Sequence, residues 1–130
     1  MADHAARVKA FFEAHTAGVS AVYLYGSQAR GDARPDSDVD VGVLFATPPG
    51  PTLLGQPLDL EDALERAIGR RVDLVTLNSA PVDLRIRVLR EGRLLIDPDP
   101  AARIRFEVTT RNEAFDLEPI LREYRSTGAA

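Results

Sequence analysis

Two aspartates open a run of valines, Asp38-Val39-Asp40-Val41-Gly42-Val43. Aspartate is depleted in strands, and a carboxylate held against a sheet surface is costly without a partner or a metal. Residues two apart on a strand project to one face, so Asp38 and Asp40 aim at a common point. Two anions so placed repel unless a cation lies between them. Mg²⁺ suits such oxygen ligands, and it commonly binds through a few carboxylates completed by substrate phosphates. The plainer reading makes Asp38 a turn residue and Asp40 part of a solvated strand edge.

Gly26-Ser27 stands just after the apolar run Ser20–Tyr25, where a helix is predicted to begin. Exposed N–H groups there attract phosphate, glycine lets the backbone approach closely, and a serine hydroxyl adds a donor. A tight turn with a helix cap would use the same two residues. Asp73 lies within Arg71–Leu77, flanked by Val72 and Leu74, where an unpartnered ion would be hard to justify. If its strand neighbours that of Asp38 and Asp40, the three carboxylates form one set.

The elements that must position these residues follow from periodicity. Asp3–His15 carries Ala6, Ala10, Phe11 and Ala14 at helical spacing, and Ser20–Tyr25 reads as a strand. Gln28–Ser37 predicts a short helical turn and a loop. Asp38–Phe45 alternates as a second strand, with Val39, Val41 and Val43 on one face. A proline-rich loop over Thr47–Pro57 precedes a helix over Leu58–Ile68, whose stripe is Leu60, Ala63, Leu64, Ala67 and Ile68. Arg71–Leu77 is a third strand, Pro81–Arg90 a helix and Leu94–Ile96 a fourth strand. The remainder, about 101–124, is predicted helical, with a kink or restart at Pro119. The fold class is α+β: a small mixed sheet with helices packed against it, in one domain spanning 1–130, with its core at about 3–97.

Composition narrows the chemistry. The chain has 130 residues, no cysteine and a net charge of −4. Thiol nucleophiles, disulfides and thiolate zinc sites are excluded, which fits a reducing cytoplasm. Direct nucleic-acid binding through the whole surface is not expected of an acidic chain, and no run reaches the length of a membrane span. The one lysine, Lys9, is predicted on a surface helix, so Schiff-base and Walker-lysine chemistry have no natural seat. His4 and His15 are off any metal spacing. No G-x-S-x-G elbow is present.

The stretch Gly26-Ser27-Gln28-Ala29-Arg30-Gly31, with ten residues between Ser27 and Asp38 and then Asp38-Val39-Asp40, resembles the GSx₁₀DxD signature of the DNA polymerase beta-like nucleotidyltransferases. Its compact form resembles the minimal nucleotidyltransferases, the MNT or MntA type, over about residues 3–97. Asp73 falls where that family carries its third carboxylate. The resemblance implies that Asp38 and Asp40 ligate two Mg²⁺ ions holding the triphosphate of ATP. It implies that Asp73 ligates the catalytic ion and helps activate the attacking hydroxyl, while Gly26 and Ser27 hold the terminal phosphates. Arg30 would support the phosphates or brace the loop. Ions roughly 3.5–4 Å apart in such sites stabilise the entering and leaving oxygens, so no catalytic histidine or lysine is needed.

MntA-type proteins are antitoxins of type VII toxin–antitoxin pairs, and the resemblance implies AMP transfer to a tyrosine of a HEPN-domain ribonuclease toxin. Two alternatives belong to other classes. An aminoglycoside-type small-molecule nucleotidyltransferase would carry an extra substrate-shaping domain. A non-catalytic toxin-binding module would have no use for three carboxylates. Arg85, Arg87, Arg90 and Arg93 form a basic cluster, read either as a solvated helix face or as a phosphate or partner contact.

Overall fold

A computed structural model describes residues 4–31, 37–47 and 58–128, the side chains of residues 28, 30, 58 and 117–128 excepted. Four strands, β1 (Val19–Tyr25), β2 (Val39–Phe45), β3 (Val72–Thr76) and β4 (Arg93–Ile96), form one sheet in the order β3-β2-β1-β4. β1 pairs antiparallel with both β2 and β4, whereas β2 and β3 run parallel. A parallel pair needs a crossover, which α3 (Leu58–Ile68) supplies. The other helices are α1 (His4–Glu13), the single turn α2 (Ser27–Arg30), α4 (Val82–Glu91) and α5 (Pro100–Gly128). The predicted mixed sheet with helices packed against it is the observed fold.

β1 is buried at every position, as a central strand covered on both faces must be. On one face Val22, Leu24, Val39, Val41, Val43, Val72 and Leu74 pack under α1 and α3. On the other, Ala21, Tyr23, Tyr25 and Leu77 pack with Val88 of α4 and Phe106 of α5. Gly42 belongs to this second face, and the side chain of Leu77 fills the space its missing Cβ leaves.

α3 has Asp59 and Glu61 in its first turn and Arg66 in its last, matching the helix dipole. Its glutamates do more than that. The β3 amides of Val72 and Leu74 donate to Glu65 Oε2 at 2.8 Å and to Glu61 Oε2 at 3.0 Å. Two donors of an edge strand are thereby closed off from further pairing.

Two expectations need correction. The buried stripe of α1 is Ala5, Val8, Phe11 and Phe12, while Ala6, Ala10 and Ala14 are exposed. The large side chains, which bury most area, decide which face turns inward. α5 runs unbroken through Pro119. Proline there removes a single backbone donor from a helix of 29 residues. The loops at 32–36 and 48–57 lie outside the described residues.

Candidate active site

The strand register builds the site. Tyr25 of β1 pairs with Asp40 of β2, which pairs with Asp73 of β3. Partners in register share a face, so the tyrosine and both carboxylates stand in one row across the sheet, on the α4/α5 side. Their alternate neighbours, Leu24, Val39, Val41, Val72 and Leu74, point into the opposite core. A slip of one residue would bury both carboxylates among valines. Asp73 is exposed, and Asp40 is half-buried.

Gly26 fits against this row. It has φ 71° and ψ −151°, a backbone region open essentially to glycine alone. A Cβ built there would collide with the Asp40 carboxylate, so the absence of a side chain is what lets that carboxylate sit beside the strand end. Ser27, half-buried, begins α2, and Gly31 closes that helix in the left-handed conformation with its N–H on Ser27 O at 3.0 Å. α2 is a single turn of four residues, too short for a substantial macrodipole. Any phosphate contact at this corner therefore relies on local N–H groups and the Ser27 hydroxyl.

Asp38 is exposed and sits one residue before β2 begins. The start of that strand is tied to β3: Val39 N donates to Arg71 O at 2.9 Å, and Arg70 donates to Ser37 O. The structure thus brings Asp40, Asp73 and Gly26 together, and leaves Asp38 at the open end of the same strand. The side chain of Arg30 lies outside the described residues.

Among the described residues, no three acidic or histidine side chains are gathered into a ready-made ion cage. A register-paired Asp40 and Asp73 nonetheless offer the all-oxygen donor set that Mg²⁺ takes when phosphates and water complete its shell. His15 is accounted for locally: its Nδ1 is 2.8 Å from Phe11 O and its ring stacks on Phe11.

One residue near these carboxylates escaped the sequence reading, and a second was read there only as one of a basic cluster. Tyr25 is buried, and its hydroxyl is pushed up to about 12 by desolvation, then by the charges of Asp40 and Asp73, with Arg87 opposing. Arg87 reaches the same corner from α4, its Nε 3.1 Å from Glu91 Oε2. Only the position of Tyr25, directly before Gly26 and in phase with Tyr23, signalled its place.

The basic cluster divides by task. Arg85 donates to Ala80 O at 2.9 Å, to Thr110 Oγ1 at 3.2 Å and to Glu113, joining α4 to α5. Arg90 faces a groove between those helices, and Arg93 is exposed on β4.

A sheet end carrying paired carboxylates beside a glycine turn has the oxygen donors and the open backbone that a metal-bound phosphate takes. Residues 7–101 match the family described as "Polymerase beta, Nucleotidyltransferase", and the chain belongs to that family. It is 42% identical over 74 residues, 57% of this chain and 72% of the relative, to the protein adenylyltransferase MntA of Thermococcus cleftensis. A toxin–antitoxin crystal structure with AMP-PNP shares the fold at a TM-score of 0.80 and 24% identity, covering 97% of this chain and 98% of the other. A complex of a tri-AMPylated Shewanella oneidensis HEPN toxin with its MNT antitoxin matches at a TM-score of 0.74 and 22% identity, covering 98% and 97%.

Proposed function

We propose that this chain transfers AMP from ATP to a tyrosine hydroxyl of a HEPN-domain toxin, and so acts as the antitoxin of a type VII pair in the cytoplasm. The observation that carries the reading is the row Tyr25–Asp40–Asp73 beside Gly26. Family membership and the likeness to a protein adenylyltransferase support it. We read residues 1–130 as one domain, with Asp38, Asp40 and Asp73 as its catalytic carboxylates.

In this reading Asp38, Asp40 and Asp73 hold Mg²⁺, two ions in all, which when bound supply charge neutralisation for the triphosphate and for the oxygens that enter and leave. Gly26 and Ser27 hold the phosphates through N–H and O–H donors, with Arg30 beside them. Asp73, exposed at the sheet end, orients the acceptor hydroxyl and takes its proton on the way to solvent. The acceptor oxygen bonds to the α-phosphorus, the bond from that phosphorus to the bridging oxygen breaks, and pyrophosphate leaves with the electron pair. Tyr25 keeps its proton beside the two carboxylates.

A protein acceptor is favoured over a small molecule by an apolar surface on the helical side of the molecule. Ile104, Val108 and Phe115 stand exposed along one side of α5, Phe115 at 75%. Phe115 also lines a groove of about 270 Å³ with Ile86, Leu89, Arg90, Arg111 and Ala114. Exposed apolar side chains beside paired arginines suit a macromolecular contact. Each AMP added to a toxin brings a negative phosphodiester into a cleft that needs positive potential to hold RNA.

The test is to incubate the chain with ATP, Mg²⁺ and the HEPN protein and to weigh the intact partner. A mass gain in AMP steps on a tyrosine is the expected result. An unmodified partner alongside an adenylylated aminoglycoside would establish the small-molecule alternative. Silencing of the toxin by Asp40→Asn/Asp73→Asn without any modification would establish the binding-module alternative.

A further inference from the structure

Arg87 is a member of the basic cluster that neither the family motif nor the helix packing absorbs, and the one whose charge is felt at Tyr25. It lies on α4 next to Val88, which is fully buried against the face that holds Tyr25. The C-terminal end of α4 abuts β1 where that strand ends: Gly92 packs against the carbonyl of Leu24, with no room for a Cβ between them. This contact puts the last turn of the helix beside the end of β1, at the Tyr25 end of the row. Arg87 is close enough for its charge to be felt at the Tyr25 hydroxyl.

Its geometry is that of a braced anion ligand. Nε is engaged by Glu91 one turn along α4, a contact that orients the guanidinium plane. The described contacts of Arg87 leave its two terminal nitrogens uncommitted, and its side chain remains about half exposed to solvent at 51%. A guanidinium held at Nε presents those nitrogens as a fork matched to phosphate oxygens, which an ammonium cannot reproduce. The carboxylates of the row repel a polyphosphate, so a fixed cation on the adjacent helix serves a need that the strands themselves do not meet.

We propose that Arg87, oriented by Glu91, is an anion subsite of this nucleotidyl-transfer site and binds the β- and γ-phosphates of the nucleotide, the part that leaves as pyrophosphate. The proposal rests on the reading of the carboxylate row as an ATP site, and it adds a ligand from α4 to those of the β1 and β2 corner. Arg85 and Arg93, its neighbours in sequence, have no such part, because one is spent between helices and the other pairs with Leu24, on the opposite face of the sheet from the row.

The experiment measures the affinity of the full chain for a non-hydrolysable ATP analogue and for AMP, each with Mg²⁺, by calorimetry. Variants are Arg87→Ala, Arg87→Lys and, as an equal loss of charge elsewhere, Arg93→Ala. Loss of a bidentate charged contact should weaken the ATP analogue about tenfold or more in Arg87→Ala, with partial recovery in Arg87→Lys. AMP, which lacks the two terminal phosphates, should bind all three variants as it binds the wild type. Arg93→Ala should match the wild type for both ligands. Unchanged affinity of Arg87→Ala for the analogue would overturn the subsite, as would an equal loss for AMP, which marks a distorted site. Failure of the wild type to bind the analogue at all would remove the ATP reading, and the subsite with it.

Discussion

The two faces of the sheet are built from the same strands and have little else in common. Under α1 and α3, Val22, Leu24, Val39, Val41, Val43, Val72 and Leu74 form an apolar layer with Phe12, Leu64 and Ile68. Under α4 and α5, the intervening residues include two tyrosines, a glycine and two aspartates, at Tyr23, Tyr25, Gly42, Asp40 and Asp73. The period of two along a strand separates these sets completely. The larger apolar core lies on one face, and the smaller core on the other stops short of the sheet end where Asp40 and Asp73 stay open to water. Polar ties secure the second face where oil cannot: Tyr23 donates to Glu107 at 2.6 Å, and Arg103 joins that glutamate to Asp97.

The sharpest way to break this contrast is to damage one face and measure the other. Phe12 is fully buried on the apolar side. Phe12→Ala should lose about 3–5 kcal/mol by denaturant titration, while transfer per folded molecule stays at the wild-type rate. The converse changes are Asp40→Asn and Asp73→Asn. Each should lower AMP transfer by about a hundredfold or more, as removal of a transition-state partner does, with the melting temperature little changed. A large fall in melting temperature for either would mean that the carboxylates serve the fold.

Gly26→Ala tests the corner where the faces meet. Its backbone conformation resists a side chain by about 1–3 kcal/mol, and the new Cβ would displace Asp40. Transfer should fall about tenfold or more with only a modest loss of stability, read from kcat/KM beside a thermal melt. The smallest effect belongs to Tyr23. Its hydroxyl is held above the ordinary value of 10.0, first by burial and then by the bond to Glu107. The folded chain therefore keeps a proton that the unfolded chain releases, and the stabilisation is full below pH 10 and drains away as pH rises past it. Tyr23→Phe should be less stable than wild type at neutral pH by about 1–2 kcal/mol. The gap should narrow above pH 10, which urea titrations at pH 8 and above 10 would show.

Much of this was legible in the chain. The alternation Asp38–Phe45 placed its valines and aspartates on opposite faces, as observed, because the strand period is rigid. The helix over Leu58–Ile68 turned Leu60, Ala63, Leu64 and Ile68 of its predicted stripe inward for a similar reason, while Ala67 is exposed at the edge of that stripe. Where several apolar residues of unequal size competed, as in α1, spacing alone chose the alanines over Val8 and Phe12. The candidate site was legible where the strand period and a glycine turn held it, and the structure does bring Gly26, Asp40 and Asp73 together. Tyr25 was not, because its place depends on register between strands and leaves no local pattern. Arg87 was legible only as one of four arginines, because where α4 lands decides which of them nears the row. The basic cluster likewise looked uniform in sequence and became three different jobs once Arg85, Arg87 and Arg90 acquired neighbours.

The central claim is that the paired carboxylates at the end of β2 and β3 hold the metal-bound nucleotide. The most direct measurement is a crystal structure of the chain grown with Mn²⁺, as a stand-in for Mg²⁺, and a non-hydrolysable ATP analogue, with manganese located by its anomalous signal. The account predicts anomalous peaks against Asp40 and Asp73 with the triphosphate lying over Gly26 and Ser27. Manganese or nucleotide bound elsewhere, with Asp40 and Asp73 untouched, would contradict it.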